Sequence, residues 1–348
     1  MRSWGRGGEA LTARVFAVIP AGGAGTRLWP WSNQQTPKHL LDLTGTGRSL
    51  LQVTYDRMAP LADEVFILTE ERQLPMIKEQ LPEVRFIVEP TARGTVNALG
   101  LAAFELAERD PEAIMVSVPA DHLIQGDEQF QASIRRAVGV AEETGRLVTI
   151  GLEPLYPATG FGYIKVGARA GEAFRVERFE EKPTLARAEE YLSAGGYYWN
   201  LAMFSWRLGS FLEELERVAP AYHAGLREMR AGRREYADLP NEAVDYAVME
   251  KTDRLLLVPA TFEWLDVGSW AELLEVRPTD GDGNSIDGES ALIDTRGSLI
   301  SAPGKLVAAI GLRDMIVIDT EQAILILPRS RAQDVQVRHG RLEGGHRR

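Results

Sequence analysis

Four short runs without a charged residue dictate what the first half of this chain can become. They are Val15–Pro20, residues 65–68, residues 113–118 and Leu147–Leu152, with a fifth strand-like run at 85–88. Helix-like stretches lie between them at 49–58 and 95–108, and Phe130, Ile134, Ala137, Val138 and Ala141 share one helical face. A strand with one wet face alternates apolar and polar residues. These runs do not alternate, so both of their faces must be covered. The pattern predicts an α/β fold, a Rossmann-like and mostly parallel sheet with helices on both faces. Such sheets bind ligands beyond the carboxyl ends of their strands, so residues that directly follow a strand carry the most weight.

The texture changes after Gly151. Residues 162–166 and 174–179 predict a hairpin pair, and helical spacing recurs at 184–194, 208–218 and 243–250. Residues 280–285 form a polar, glycine-rich break. Short β-type runs follow at 290–294, 298–301, 306–310, 315–319 and 323–327. They predict a small C-terminal β-helix-like module. The expected organisation is a leader at 1–13, a catalytic domain at 14–279, the module at 285–337 and a basic tail at 338–348. The leader is rich in Gly and Arg and lacks the apolar centre of a signal peptide.

The 348 residues include no cysteine, which excludes disulfides, thiolate metal centres and thiol nucleophiles. A net charge of −11 argues against general nucleic-acid binding. No apolar stretch approaches the roughly 20 residues of a membrane span. The expectation is a cytoplasmic protein without a membrane partner. An acidic chain that binds a nucleotide needs local cations or a metal, and that need directs the search for motifs.

The strongest motif is the run AGGAGTR at 21–27, directly after the first strand. Glycines at such a place let backbone N–H groups approach an oxyanion. No Gly-Lys-Ser/Thr follows, so this is not a Walker A loop, and the last glycine of a dinucleotide fingerprint is missing. What remains is a glycine loop with its own Arg27, followed by Lys38 after Pro37. The competing reading is a tight strand–helix turn. Asp121 follows the strand at 113–118 and suits a Mg²⁺ ligand, or else a turn or helix cap; His122 reads as its neighbour. Asp266, flanked by Trp264 and Gly268, is either a second metal ligand or part of a cap with Ser269. Glu181 and Lys182 end a strand-like run and could hold sugar hydroxyls and a phosphate, or simply face water. Glu89, Arg93 and Thr95 precede a helix. A guanine edge offers N1–H and N2–H donors that a Glu could accept, whereas the plain alternative is an N-cap at Thr95. Asn200 could bond sugar hydroxyls or be a loop amide.

Taken in order, these segments resemble the sugar nucleotidyltransferase family, and most closely its mannose-1-phosphate guanylyltransferase branch. The matching residues are AGGAGTRLWP (21–30), PKHLL (37–41), VEPTARGT (88–95), PADH (119–122), GFGYI (160–164), EEKP (180–183), YWN (198–200), VDYAVMEK (244–251), WLDVGSW (264–270) and the run at 306–328. The resemblance implies transfer of GMP from GTP to mannose-1-phosphate with Mg²⁺, by a protein that is often a homodimer built through its β-helix. It implies that Ala21, Gly22, Gly23, Gly25 and Thr26 wrap the triphosphate, with Arg27 and Lys38 near the phosphates. Glu89, Arg93 and Thr95 would lie around the base or ribose. Asp121 and Asp266 would hold Mg²⁺. Gly162, Glu181 and Asn200 would face the sugar and Lys182 its phosphate. Two positions depart from the family. Leu201 and Ala202 follow Asn200 where Ser-Gly is usual, and Gly94 stands where Asn is usual. Rival readings are the same chemistry on another base or sugar, a glycosyltransferase that consumes a nucleotide sugar, and a silent nucleotide sensor.

Overall fold

The computed structural model describes residues 12–23, 28–33 and 35–335. Its strands and helices run β1 (Val15–Pro20), α1 (Leu50–Met58), β2 (Glu64–Glu70), α2 (Leu74–Gln80), β3 (Arg85–Glu89), α3 (Gly94–Ala107), β4 (Ile114–Ser117), β5 (Leu123–Gln125), α4 (Asp127–Thr144), β6 (Leu147–Leu152), β7 (Tyr163–Ala170), β8 (Ala173–Glu180), α5 (Leu185–Ala194), β9 (Tyr197–Arg207), α6 (Leu208–Val218), α7 (Pro220–Arg230), β10 (Leu255–Pro259), β11 (Glu263–Leu265), α8 (Trp270–Val276), β12 (Ser285–Ile293), β13 (Leu299–Ile310), β14 (Met315–Asp319) and β15 (Ile324–Pro328). Among the described residues no helix is long and apolar enough to cross a membrane.

The chain forms two compact units. The first takes the chain up to Gly22, Thr54–Ala120 and Ile124–Trp264; the second takes Gly23–Val53, Asp121–Leu123 and the chain from Leu265 onward. The first unit is built on a nine-stranded sheet of order β3-β2-β1-β4-β9-β6-β10-β8-β7. Strands β3, β2, β1 and β4 are mutually parallel, as the unbroken apolar runs within β1, β2 and β4 predict. Its core gathers Phe16, Phe66, Ile87, Leu99, Met115 and Trp206, all buried. Trp206 stacks on Phe211 with ring centroids 4.2 Å apart.

The sheet is more mixed than the sequence pattern predicts: β7–β8 and β8–β10 pair antiparallel, and so does β9. It enters antiparallel between β4 and β6 and also pairs β7. Its register slips: Ile150 faces Met203 while Gly151 faces Asn200, so Leu201 and Ala202 are extra residues on β9. Such a bulge re-aims a side chain beside a site. Ala202 accordingly has a positive φ of 53°, the backbone region a glycine adopts most easily. That accounts for the glycine usual here in the family. Leu201 is fully buried, so it fills core, and Ala202 is half-buried.

In the second unit β12, β13 and β14 stack in parallel, and β15 closes the stack antiparallel. Asn284 donates to the Thr295 carbonyl (2.9 Å) and Ser301 to Asp287 (3.0 Å), tying successive turns together. The core of this unit includes Leu28, Leu43, Leu50, Trp270, Leu299 and Ile316.

Truncating Leu201 should leave a cavity in the first unit. We expect Leu201→Ala to lower the unfolding free energy by about 2–5 kcal/mol, read from urea denaturation midpoints.

Candidate active site

Three charged side chains meet in the second unit. Lys38 opens a short 3₁₀ turn (Lys38–Leu40) after Pro37, and only 4% of it is exposed. Its Nζ lies 2.9 Å from Asp266 Oδ1 and 3.2 Å from Asp121 Oδ2. Local structure presents each acid. The chain beyond β4 stays zipped to β1 through Ala120 N–H and the Pro20 carbonyl (3.1 Å), and Asp121 follows at once. Ser269 is the N-cap of α8: its side chain accepts from the Glu272 N–H, while Glu272 accepts from the Gly268 N–H at 2.7 Å. The capping role therefore falls to Ser269, which leaves Asp266 to face Lys38.

Electrostatics agree with this geometry. Burial works against the charge on Lys38, yet Asp121 and Asp266 outweigh it and hold the ammonium above its ordinary value. Burial likewise opposes the charge on Asp121, but Lys38, then His122, take its carboxyl down to about 2. The Asp121 side chain is 41% exposed, so solvent screening tempers that shift. Burial holds the His122 imidazole below its ordinary value, against the pull of Asp121 and Asp266. Two carboxylates thus converge on one cationic position. Among the described residues no cage of three or more His, Cys, Asp or Glu side chains forms. A carboxylate pair suits Mg²⁺, which takes few protein ligands and completes its shell with phosphates and water.

A second constellation sits in the first unit. Ala21 closes β1 with a bond from its N–H to the Leu68 carbonyl (2.8 Å), and Gln73 donates to the Gly22 carbonyl (3.1 Å). A Cβ on Gly22 would stand 4.0 Å from Glu89 Oε1, so the glycine segment and the end of β3 face each other. Glu89 is buried and accepts the Tyr236 hydroxyl at 2.7 Å. Burial pushes its carboxyl up to about 7; Glu70 adds to the rise, while Tyr236 and the Arg93 N–H oppose it. Among the described residues, the buried Nε of Arg93 has no acceptor. Gly23 belongs to the second unit, where a Cβ would meet nothing within 4 Å. Gly25, Thr26 and Arg27 lie outside the described residues.

Thr95 does not cap α3; Arg93 holds the N-cap position, without a side-chain bond. The Thr95 hydroxyl instead accepts the Val244 N–H (2.8 Å), and Asn97 donates to the Pro240 carbonyl (2.7 Å). Gly94 has φ +75°, and a Cβ there would fall 2.0 Å from the Glu242 carbonyl. The start of α3 therefore clasps segment 240–244, and the Gly94 departure is explained by this approach.

The clasp leads into a π-turn at Asp245–Met249, an irregularity common at functional sites. Here the third constellation forms. Asn200 donates to Asp245 (2.8 Å), and its carbonyl oxygen accepts from Thr149 (3.2 Å) and the Ala202 N–H (3.1 Å). A Cβ on Gly162 would lie 2.4 Å from Glu181 and 3.3 Å from the Asn200 Cβ, so these three residues converge. Lys182, at φ 48°, puts its Nζ 2.9 Å from Glu181. Burial and the Glu181 charge push Asp245 up to about 6, against Asn200 and Lys182. Asp245 was not singled out from sequence. Its signal was an acid inside the otherwise apolar run Val244–Met249, where helical spacing alone predicted an ordinary helix.

Residues 16–283 match the nucleotidyl transferase family model, and residues 288–338 match a MannoseP isomerase/GMP-like beta-helix domain. This chain belongs to the nucleotidyl transferase family. The xanthan biosynthesis protein XanB of Xanthomonas campestris pv. campestris (strain B100) is 39% identical over 339 residues, covering 92% of this chain and 72% of XanB. The mannose-1-phosphate guanylyltransferase of Escherichia coli (strain K12) is 36% identical, with 93% and 72% covered. A solved structure called mannose-1-phosphate geranyltransferase, from Thermus thermophilus, superposes with a TM-score of 0.87 at 33% identity, covering 95% of this chain and 99% of that one. The fold is the mixed α/β nucleotidyltransferase fold with a C-terminal β-helix-like module, and the protein is a nucleotidyltransferase enzyme.

The Glu89 shift has a stability consequence. Between the ordinary glutamate value and about 7, the folded chain keeps a proton that the unfolded chain has released. Stability must therefore fall as pH rises through that window. Glu89→Gln keeps an acceptor for Tyr236 and removes the linkage. We expect the fall in unfolding free energy from about pH 5 to about pH 8 to shrink by about 2 kcal/mol in urea titrations.

Proposed function

We propose that this nucleotidyltransferase transfers GMP from GTP to mannose-1-phosphate, giving GDP-mannose and pyrophosphate. The observation that carries the chemistry is the convergence of Asp121 and Asp266 on one cation, the Lys38 ammonium. Guanine and mannose are supported by the names of the relatives and by Glu89, an acceptor for a base edge with two adjacent donors.

A phosphate oxygen of the sugar phosphate attacks the α-phosphorus of GTP in line. The new P–O bond forms as the bond to the bridging oxygen breaks, and pyrophosphate leaves with that electron pair. The attacking group is already anionic, so no protein nucleophile is required. The protein's task is positioning and charge neutralisation. Asp121 and Asp266 would hold Mg²⁺, which when bound supplies positive charge to the phosphates. Arg27 and Lys38 would neutralise the triphosphate, and the glycine segment from Ala21 would offer its N–H groups. Lys182 would hold the sugar phosphate. Glu181 and Asp245 would accept sugar hydroxyls and Asn200 would donate its remaining amide N–H to one, in a space that Gly162 keeps open. Arg93 and Thr95 would flank the base or ribose.

We assign residues 14–279 to catalysis and 285–337 to an assembly module. On that module Ile293, Leu306, Ile310, Ile324 and Ile326 are exposed, an apolar set suited to a second copy of the chain. The proposed state is a homodimer. We place the reaction in the cytoplasm, the compartment that supplies GTP.

A pyrophosphate-release assay across four nucleoside triphosphates and several hexose 1-phosphates tests the reading. We expect GTP with mannose-1-phosphate to win; a different preferred pair would overturn the assigned substrates. Asp121→Asn should stay folded and lose roughly 100-fold or more in kcat. Lys182→Ala should raise KM for the sugar phosphate by about tenfold or more while that for GTP holds.

A further inference from the structure

The Glu89 carboxylate is held by a residue that no sequence motif singled out. Tyr236 lies on a 3₁₀ turn (Tyr236–Asp238) that follows α7, 147 residues along the chain from Glu89. It is 3% exposed, and its hydroxyl donates to Glu89 Oε2 at 2.7 Å. Burial and the neighbouring Glu89 charge raise the phenol above its ordinary value, so it stays a neutral donor at any working pH. The other carboxylate oxygen, Oε1, is the one facing Gly22.

An ionised carboxylate is acceptor-only and has about four lone-pair sites. The Tyr236 hydroxyl and the Arg93 N–H use part of that capacity. What remains can accept two parallel N–H donors. Guanine presents such a pair, N1–H beside the 2-amino group. Adenine and the pyrimidines present a donor next to an acceptor, which would set a base oxygen or ring nitrogen against a carboxylate oxygen.

We propose that Tyr236 is the positioning residue of the base-reading carboxylate, fixing the plane of Glu89 so that both guanine donors are met at once. This rests on the reading of Glu89 as a base contact given above. Discrimination for guanine then depends on a hydroxyl that never touches the nucleotide. The charged or titratable groups facing Glu89 are Tyr236 and Glu70, the latter paired with Arg72.

Tyr236→Phe keeps the buried ring and removes only the hydroxyl. The measurement is kcat/KM for GTP and for inosine triphosphate, which lacks the 2-amino group, with mannose-1-phosphate as co-substrate. We expect the GTP-to-ITP ratio to fall about tenfold, since one hydrogen bond to a charged group has been lost. KM for mannose-1-phosphate should not move. The acid limb of the GTP profile should shift to higher pH, because losing a donor to the carboxylate disfavours its charged form. An unchanged ratio with an unshifted acid limb overturns the proposal.

Should Tyr236→Phe fail to fold, Glu89→Gln decides. The carboxamide keeps one acceptor and turns the other position into a donor, so the GTP-to-ITP ratio should approach one. A wild-type ratio in that variant removes Glu89 as the base reader and this inference with it. Failure of the proposed function looks different: the unmodified enzyme would then release no pyrophosphate from GTP and mannose-1-phosphate.

Discussion

Backbone hydrogen bonding by one strand holds the first unit together. β9 runs against the direction of β4 and β6 and pairs β7 as well, so it joins the parallel run β3-β2-β1-β4 to the mixed remainder of the sheet, where β6 and β10 are parallel and β8 and β7 antiparallel. A central strand with three partners has little freedom to slide, because slipping by one residue would turn its buried face outward. The bulge at Leu201 and Ala202 works against that fixed frame. It sends Leu201 into the core and leaves the Asn200 amide bonded to Thr149, to Ala202 and to Asp245. A backbone irregularity thus does the aiming that a loop would do less firmly.

Charge is handled differently in each constellation. Lys38 is buried and stays cationic because two carboxylates compensate it. Glu89 and Asp245 are acids that burial pushes up to about 7 and about 6, each steadied by a single neutral side-chain donor, Tyr236 or Asn200. The first arrangement holds charge ready for a highly charged ligand. The second leaves acceptors under-compensated until N–H or O–H donors arrive. That contrast fits a reaction in which phosphates need neutralising while a base and a sugar need reading.

Much of this was legible in advance where physics is local. Val15–Pro20 is a strand with the bounds its apolar run predicts, and the glycine segment follows it directly. The chain order of motifs carried the resemblance, and the nucleotidyl transferase family match spans residues 16–283, which contain all of those segments but the one at 306–328. Legibility failed where a partner far along the chain decides the outcome. The strand β9 was not anticipated, and Asn200 within it was weighed as a loop amide; Ala202 at positive φ breaks the pattern of a strand. α2 and α7 were not anticipated, and the helix expected at 243–250 is a π-turn. Thr95 looked like a cap because Thr caps helices; its hydroxyl is spent on Val244 instead.

By itself the sequence determined the parallel part of the sheet, the glycine segment directly after β1, the small β module and the family, because unbroken apolar runs and short spacings act over a few residues. Tertiary structure alone decided which side chains meet. Lys38 and Asp266 are 228 positions apart, and Glu89 and Tyr236 are 147 apart. Pairings at that range are set by sheet order and register, and no local spacing encodes them.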